Sequence, residues 1–355
     1  MLLAVLIAAC SSRPTIPESY TECSEPATLY PAIDSTVVPP NIAPLNCQLT
    51  MEADEAVAVV GTLVATTDGS DFLWDEDEWH TLLADNRGKT LPVDIYTKSD
   101  GKWRHHPTQH FTVAEEEIDS FLVYRLIEPG YELYRQLGIY ERNLTSFEER
   151  ALVENTRQFD SLHNHCLNCH NFQGHDTRRW LFHIRGHHGG TMLVEDGTPR
   201  KVDMRHDSIL AAGVYPAWHP TENLVALSTN ITGQTFHIMH RERIEVIDTV
   251  SDLILYDPEH NTVRNILRTR DTLETFPTWS TDGTTLYYCA APKKERYDSL
   301  VYSIYSMSFD SKARNLEISE SQAFGLPRLE VSGGSCSVPR VSPDGRWLMF
   351  TMAPY

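Results

Sequence analysis

The stretch that decides the fold is Pro277-Thr278-Trp279-Ser280-Thr281-Asp282-Gly283, which is followed by the apolar run Leu286-Tyr287-Tyr288. A similar unit begins at Pro216 and another at Pro339, so that the three prolines are 61 and 62 residues apart. Each unit predicts a strand, a tight turn and a second strand, because Asp-Gly is a residue pair that such turns favour. A fixed period of this length indicates a repeat architecture in which each unit packs against its neighbours.

The repeat resembles that of TolB-type β-propellers, whose core reads Pro-x-Trp-Ser-Pro-Asp-Gly and precedes an apolar strand. The third copy departs from this core with Val341 at the tryptophan position, and the first copy has Thr221-Glu222-Asn223 in place of Pro-Asp-Gly. The resemblance implies that residues 191–355 form part of a propeller. A propeller closes with about four to eight blades, and this stretch holds fewer than three repeats. We therefore expect the natural chain to continue past Tyr355.

The N-terminal part of the chain is also predicted to be β. Residues 30–127 hold short apolar runs separated by turn signals such as Ser99-Asp100-Gly101, which is typical of a β-hairpin. We expect a small β-sandwich over this range. Residues 11–29 are polar and carry three prolines, which favours an extended tether ahead of the sandwich.

Between these two parts the spacing of the apolar residues changes. In residues 131–140 they recur at intervals of three and four, which is typical of a helix. Thr145 and Ser146 each precede a glutamate by three residues, as in a capping box. The pattern predicts a helix from about Ser146 to Leu162, inside a helical segment at 128–190. The expected fold class is thus mainly β, with a β-sandwich, a short helical segment and an incomplete propeller.

The motif that carries chemistry is Cys166-Leu167-Asn168-Cys169-His170, the Cys-x-x-Cys-His signature of c-type haem attachment. In this motif two thiols add to the vinyl groups of haem, and the adjacent histidine is the proximal ligand of the iron. The predicted helix would lead directly into the motif, as it does in small cytochrome c domains. Cys166 and Cys169 are therefore the expected attachment residues, His170 the expected proximal ligand, and haem c the expected cofactor.

Three other interpretations compete with haem. Cys166 and Cys169 can form a structural disulfide, or a redox pair of the thioredoxin kind, although no βαβ pattern surrounds them. Zinc is the strongest rival, because zinc accepts both cysteine and histidine ligands. Four histidines crowd the two cysteines: His163, His165, His170 and His175.

The sixth ligand of the iron is expected downstream, in residues 182–192. His183 is the first choice, because it lies between two apolar residues and is expected to point inward. His188 and Met192 are the alternatives; a methionine ligand raises the reduction potential of haem, and a histidine keeps it lower. Arg185 is expected to pair with a haem propionate.

The N-terminus predicts export. Residues 1–9 are almost wholly apolar, are too short to span a bilayer as a helix, and end in small residues before Cys10. This junction resembles the lipobox of bacterial lipoproteins, which implies a signal peptide over residues 1–10 and a diacylglycerol on Cys10. Ser11-Ser12 resembles lipoproteins sent to the outer membrane. No lysine or arginine precedes the apolar run, which departs from the usual signal peptide. We expect a lipid-anchored protein of the cell envelope.

Charge and motifs exclude two classes of function. The chain has 30 basic and 49 acidic residues and a formal net charge of -19. Such a surface repels phosphate backbones, so no nucleic-acid partner is expected. The sequence contains no Gly-x-Ser-x-Gly elbow and no phosphate-binding loop, so it gives no support for a hydrolase of those kinds.

Four cysteines lie outside the haem motif and the lipobox. An exported chain folds in an oxidising compartment, where Cys23 and Cys47 can pair across the first domain. Cys289 and Cys336 can be plain buried thiols. The sequence leaves both pairings open.

The combination resembles a family of bacterial outer-membrane lipoproteins in which a mono-haem segment precedes a TolB-like propeller. Such proteins are often labelled cytochrome c biosynthesis or TolB-like translocation proteins. The resemblance rests on residues 166–170, residues 183–191 and the three repeats. It implies one covalent haem that passes single electrons, and a propeller that docks a redox or envelope partner. Two other functions stay open: an envelope scaffold with a structural or sensory haem, and a peroxidase-like enzyme with an open iron position.

Overall fold

A computed structural model of the chain describes residues 14–127, 136–156, 165–186, 189–238, 244–310, 328–329 and 333–353. The chain divides into two compact units, residues 1–124 with 140–152 and residues 125–139 with 153–355. Within the described ranges the fold is mainly β, as predicted, with a single α-helix, α1 (Glu76–Asp85). None of the helical structure in these ranges is long and apolar enough to cross a membrane.

The first unit contains a seven-stranded sheet and a three-stranded sheet. The larger sheet is formed by β1 (Thr21–Glu22), β3 (Thr36–Val38), β5 (Glu55–Val60), β6 (Leu63–Thr67), β8 (Thr90–Ser99), β9 (Lys102–His105) and β10 (Gln109–Val113). Its order is β1-β9-β8-β10-β3, and β5 pairs with both β6 and β8. The smaller sheet has the order β2-β4-β7 and consists of β2 (Leu29–Tyr30), β4 (Cys47–Leu49) and β7 (Asp71–Phe72).

Both sheets and α1 share one apolar core, which includes Phe72, Trp79 and Phe111. The helix starts at Asp75, whose carboxylate accepts a hydrogen bond of 3.0 Å from the backbone N–H of Glu78. Such a cap satisfies one of the N–H groups that a helix leaves without an internal partner. The predicted sandwich therefore includes a helix that the sequence analysis did not predict.

The predicted tether is wrong over part of its length. Thr21 and Glu22 pair in parallel with Arg104 and His105 at the edge of the larger sheet. Ala27 lies in the core, and its carbonyl oxygen accepts a 2.7 Å hydrogen bond from the side chain of Gln109. The polar composition of residues 11–29 gave no sign of these contacts, because pairing along the edge of a sheet uses backbone groups that every residue has. Cys10, the predicted lipidation site, lies outside the described residues.

The cysteines of the described ranges are thiols. Cys23 is half-buried, whereas Cys47 lies in the core of the first unit. Cys289 and Cys336 are buried in a shared cluster, which agrees with their interpretation as buried thiols.

The predicted helical segment at 128–190 is wrong wherever the structure describes it. The chain there forms a three-stranded sheet of order β11-β12-β13, made of β11 (Phe121–Ile127), β12 (Leu137–Asn143) and β13 (Glu149–Glu154). The expected cap residues form a turn instead: the amide and hydroxyl of Thr145 donate to the Asn143 side chain, and Ser146 accepts from the amide of Glu148. Such side-chain bonds to nearby backbone compete with a helix and favour turns. Residues 131–135 and 157–162 lie outside the described ranges.

The second unit consists of consecutive antiparallel sheets of the propeller type, which we call blades. Blade 1 contains β14 (His165–Gln173), β15 (Asp176–Gly186), β16 (Gly190–Glu195) and β17 (Thr198–Val202). Blade 2 contains β18 (Gly213–Trp218), β19 (Val225–Phe236), β20 (Ile244–Asp257) and β21 (Thr262–Leu267). Blade 3 contains β22 (Thr272–Trp279), β23 (Thr285–Pro292), β24 (Ser303–Ser308) and β25 (Arg328–Leu329). A two-stranded sheet follows, formed by β26 (Ser335–Val341) and β27 (Leu348–Ala353). The propeller thus begins at His165 rather than at residue 191.

The first strand of each sheet contacts the first strand of the next, so that β14, β18, β22 and β26 lie innermost. All four carry a β-bulge at the same position, and the bulged residue has a positive φ. In order these residues are Cys169, Tyr215, Phe276 and Val338, with φ of 54°, 49°, 52° and 50°. A proline follows the bulged residue in the last three strands, where the interrupted ladder tolerates the loss of an N–H group.

Blades 2 and 3 are joined around Trp279, the tryptophan of the quoted repeat. Its ring is 6% exposed, and its indole N–H donates a 3.0 Å hydrogen bond to the carbonyl oxygen of Ala217. The buried ring of His219 lies 4.7 Å from it and faces the carbonyl oxygen of Gly283 at 3.0 Å. His219 also accepts from the amide of Glu222, so the imidazole closes the turn that an aspartate closes in the other copies. This explains how the first repeat folds without Pro-Asp-Gly.

Candidate functional site

The Cys-x-x-Cys-His motif lies on β14, the innermost strand of blade 1, and not at the end of a helix. Cys169-His170-Asn171-Phe172 occupies the register that Tyr215-Pro216-Ala217-Trp218 occupies in blade 2. The motif is therefore a fourth copy of the propeller repeat. Sequence reasoning missed it because it lacks both proline and tryptophan and lies 46 residues before the next copy.

The β-bulge of this strand falls at the second cysteine of the motif. In a regular strand, residues three apart face opposite sides of the sheet. Here Asn168 pairs with His183 and Asn171 with Leu181, so that Cys169 and His170 together oppose one residue of β15. The two thiols nevertheless lie close enough to interact electrostatically, and both are acted on by the charges of Arg125 and Arg185.

The first cysteine of the motif, Cys166, borders a cavity of about 470 Å³, which we call the thiol pocket. Cys166 lines it together with His183, Arg125, Arg185 and Tyr215. The long β19–β20 hairpin of blade 2 supplies another wall through Asn230, Thr232, Gln234 and Val246. A neighbouring cavity of about 760 Å³ shares His183 and Arg185 and adds Lys201, Met204 and Arg205. Both volumes lie in the range of small-molecule and cofactor sites, which is about 300–1,000 Å³.

His183 is held in the form that binds metals. Its side chain is buried, and its Nδ1 lies 3.2 Å from the hydroxyl of Thr191. Burial, with a smaller contribution from the charge of Arg185, lowers the pKa of His183 to about 4. The imidazole is therefore neutral near pH 7, and a neutral imidazole fixed through one nitrogen presents the other to a ligand.

His170 lies on the other face of blade 1. Its ring meets that of Phe172 edge-on at 6.1 Å, and Phe172 stacks on Trp180 at 5.5 Å. Trp180 is three residues from His183 on the same strand, so the two side chains face opposite sides of the sheet. The structure therefore brings Cys166, Cys169, His183 and Arg185 together but does not bring His170 to them.

The alternative distal ligands are not placed at the thiol pocket either. Met192 pairs with Phe182, which alternates with His183 along β15, so Met192 belongs to the face opposite the pocket. His188 lies outside the described residues.

Burial raises the pKa of the Cys166 thiol and of the Cys169 thiol, while Arg125 and Arg185 act in the opposite direction. Since both pKa values are raised on balance, the protonated thiol is favoured at each cysteine. Since the thiolate is the reactive form of cysteine, neither side chain is a strong nucleophile at neutral pH.

The zinc interpretation finds no support at the thiols. Within the ranges that the structure describes, Asp257, Glu259 and His260 form the one group of three or more acidic, cysteine or histidine side chains close enough to share a metal ion. His170 and His175 do not form such a group with the cysteines. His163 lies outside the described residues.

Comparisons with known proteins found two weakly similar solved structures among others. No protein-family model matches the chain, and no curated protein sequence matches it. An oligogalacturonate lyase solved in complex with manganese is similar over 62% of this chain and 52% of its own, with 14% identity and a TM-score of 0.36. The tricorn protease is similar over 71% of this chain and 25% of its own, with 9% identity and a TM-score of 0.34. The chain thus spans about half and a quarter of their respective lengths.

Because the pKa of His183 is lowered, we expect the chain to become less stable in acid. As the pH falls from about 6.5 to 4, the unfolded chain binds a proton at His183 that the folded chain does not, so the free energy of unfolding falls. The loss for this residue is about 3 kcal/mol. Urea unfolding of cytosolically produced protein at several pH values, compared with His183→Gln, measures it. The comparison must use the variant, because the raised pKa of Glu274 acts in the opposite direction over the same range. Equal acid sensitivity of both proteins would contradict a buried neutral imidazole.

Proposed function

We propose that the chain is an exported β-propeller protein that holds one c-type haem at the thiol pocket and transfers single electrons to a partner. The observation that carries the proposal is the pair Cys166 and Cys169, whose thiols interact with each other and with the charges of the same two arginines. Haem supplies one-electron transfer at such a site when it is bound. The propeller provides a rigid support for it.

The residues around the pocket suit an anionic, planar cofactor in several respects. The two thiols would hold it covalently, and His183 presents a neutral imidazole on the same side. Arg125 and Arg185 would balance the charge of the propionates. Tyr215, whose ring packs 4.6 Å from that of Phe276, closes the inner end of the pocket.

His170 does not fit the haem proposal in the described conformation. A proximal ligand must reach the iron beneath a ring whose edge is fixed at the two thiols, yet the imidazole of His170 packs at Phe172 on the other face. Of the two predicted axial histidines, only His183 lies on the pocket side. We therefore assign His183, and not His170, as the ligand that this conformation offers.

This placement favours a second candidate, a dithiol–disulfide couple without haem. In that case Cys166 and Cys169 would give up two electrons and two protons to a disulfide of a partner oxidoreductase and become joined by an S–S bond. The electrostatic interaction between the two thiols supports this candidate, because it shows that they lie close to each other. Their raised pKa values predict a slow reaction.

One experiment separates the two candidates. The full chain is produced with an export signal in cells that contain the c-type haem attachment machinery, and a denaturing gel is stained for haem. A stained band at the mass of the chain supports the haem proposal; His183→Ala should then shift the visible spectrum from low spin to high spin. An unstained protein whose Cys166 and Cys169 are oxidised to a disulfide by mass spectrometry would replace haem with the second candidate. An unstained protein with unreactive thiols would contradict both.

A further inference from the structure

A second polar site is buried between blades 2 and 3, away from the thiol pocket. It centres on Glu274 of β22, whose side chain is almost completely buried at 1% exposure. Glu274 lines a cavity of about 80 Å³ together with Thr272, Tyr288 and Tyr305. The interior between two blades is an unusual place for a carboxylate, since acidic residues are almost never fully buried unless they are paired.

Only one oxygen of Glu274 is satisfied. Its Oε1 accepts hydrogen bonds from the hydroxyls of Thr269, at 2.6 Å, and Thr272. Its Oε2 is buried and has no hydrogen-bond partner among the described residues. A buried oxygen without a partner carries the full cost of its lost hydration.

A second buried carboxylate accompanies Glu274. Asp252 of β20 is 2% exposed, and its charge acts on the carboxyl of Glu274. Its Oδ1 is also buried without a hydrogen-bond partner among the described residues. Glu274 and Asp252 are two interacting carboxylates, and each has one oxygen without a hydrogen-bond partner among the described residues. Carboxylate oxygens of this kind are typical ligands of a cation.

The neighbouring cations do not balance this charge. The guanidinium of Arg268 lies 3.7 Å from Asp252 Oδ2, but its side chain is 58% exposed. The ammonium of Lys293 is engaged at 2.8 Å by the carbonyl oxygen of Arg270. Arg268 remains near water, where a charge stabilises a buried carboxylate weakly. Removing a carboxylate from water costs several kcal/mol unless an opposite charge compensates for the lost hydration.

We propose that this site binds a calcium ion between blades 2 and 3. Glu274 Oε2 and Asp252 Oδ1 supply the two charged ligands, and the hydroxyls of Thr269 and Thr272 lie beside them. Oxygen donors of this kind suit a hard divalent cation. The cavity, whose wall includes Glu274 but not Asp252, has room for an ion, because one water needs only about 10–15 Å³ of such space.

The site can be tested on the full chain with terbium, a luminescent substitute for calcium. Light absorbed by Tyr288 and Tyr305 should sensitise terbium bound at Glu274, and added calcium should quench the emission by displacement. Glu274→Gln keeps the shape of the side chain and removes its charge, so we expect terbium binding to weaken by tenfold or more. Asp252→Asn should weaken it as well and serves as a second variant if Glu274→Gln does not fold.

The exposed cluster Asp257, Glu259 and His260 provides the matched control, because it is the rival metal site. Glu259→Gln should leave the emission unchanged. Emission lost in Glu259→Gln but retained in Glu274→Gln would overturn the proposal in favour of the surface cluster. The proposal would also fail if the wild-type chain showed no terbium emission and no rise in melting temperature with calcium. Waters or a shared proton would then be what satisfies the two carboxyls.

Discussion

A chain in which both motif cysteines are replaced, Cys166→Ala and Cys169→Ala, is expected to lose all covalently bound haem. Each thioether bond requires one of these thiols. Cys166 and Cys169 interact with each other on blade 1, whereas Cys47, Cys289 and Cys336 lie in other clusters. We therefore expect no transfer of attachment to another site. The measurement is the absorbance of the denatured, purified protein at the haem bands, compared with its mass.

The chain offers a matched control for this experiment. Cys289→Ala with Cys336→Ala also removes two buried thiols from the second unit, but from a cluster between blade 3 and the sheet that follows it. This pair should keep the full haem content. Haem that persists after loss of Cys166 and Cys169, or that disappears after loss of Cys289 and Cys336, would contradict attachment at the motif.

The second large effect is expected at Trp279. Trp279→Ala removes a buried ring that packs on Phe309 at 5.2 Å, and it leaves the carbonyl oxygen of Ala217 without its 3.0 Å bond. Truncations of buried aromatic residues cost about 3–5 kcal/mol. We expect a loss of this size in the free energy of unfolding, measured by urea titration with tryptophan fluorescence and far-ultraviolet circular dichroism together.

Trp347 is the control for this prediction. It follows the third copy of the repeat but is 71% exposed, so Trp347→Ala should change the stability of the chain by about 0.5 kcal/mol or less. If the two variants were equally stable, the indole of Trp279 would not hold blades 2 and 3 together.

The propeller was predictable because its repeat is visible in the sequence, but a copy of the repeat that lacks the recognisable residues was missed. Copies that keep the proline were visible, whereas the copy at Cys169 was not, because a bulge can be filled by any residue that tolerates its backbone. The motif was instead joined to a helical pattern upstream. The helix predicted from that pattern is wrong at Thr145 and Ser146, where hydrogen bonds between side chains and nearby backbone form a turn.

The candidate site was predictable in its members but not in its arrangement. His183 was expected to point inward because apolar residues flank it, and the structure places it beside Cys166. His170 was assigned by adjacency along the chain, but alternation along a strand sends it to the opposite face. Sequence gave no signal for Arg125, which comes to the pocket from a distant strand. Neither did it indicate Glu274, whose burial depends on the packing of two blades.

The bulge shared by the four innermost strands has a consequence for the history of the molecule. A backbone feature that survives at four places while its side chains differ is what duplication of an ancestral unit leaves behind. The motif thiol at the bulge would then be younger than its scaffold, acquired when one copy exchanged an aromatic residue for Cys169. An engineer can repeat that step: the positions in blade 2 that match Cys166, Cys169 and His170 are Ala212, Tyr215 and Pro216.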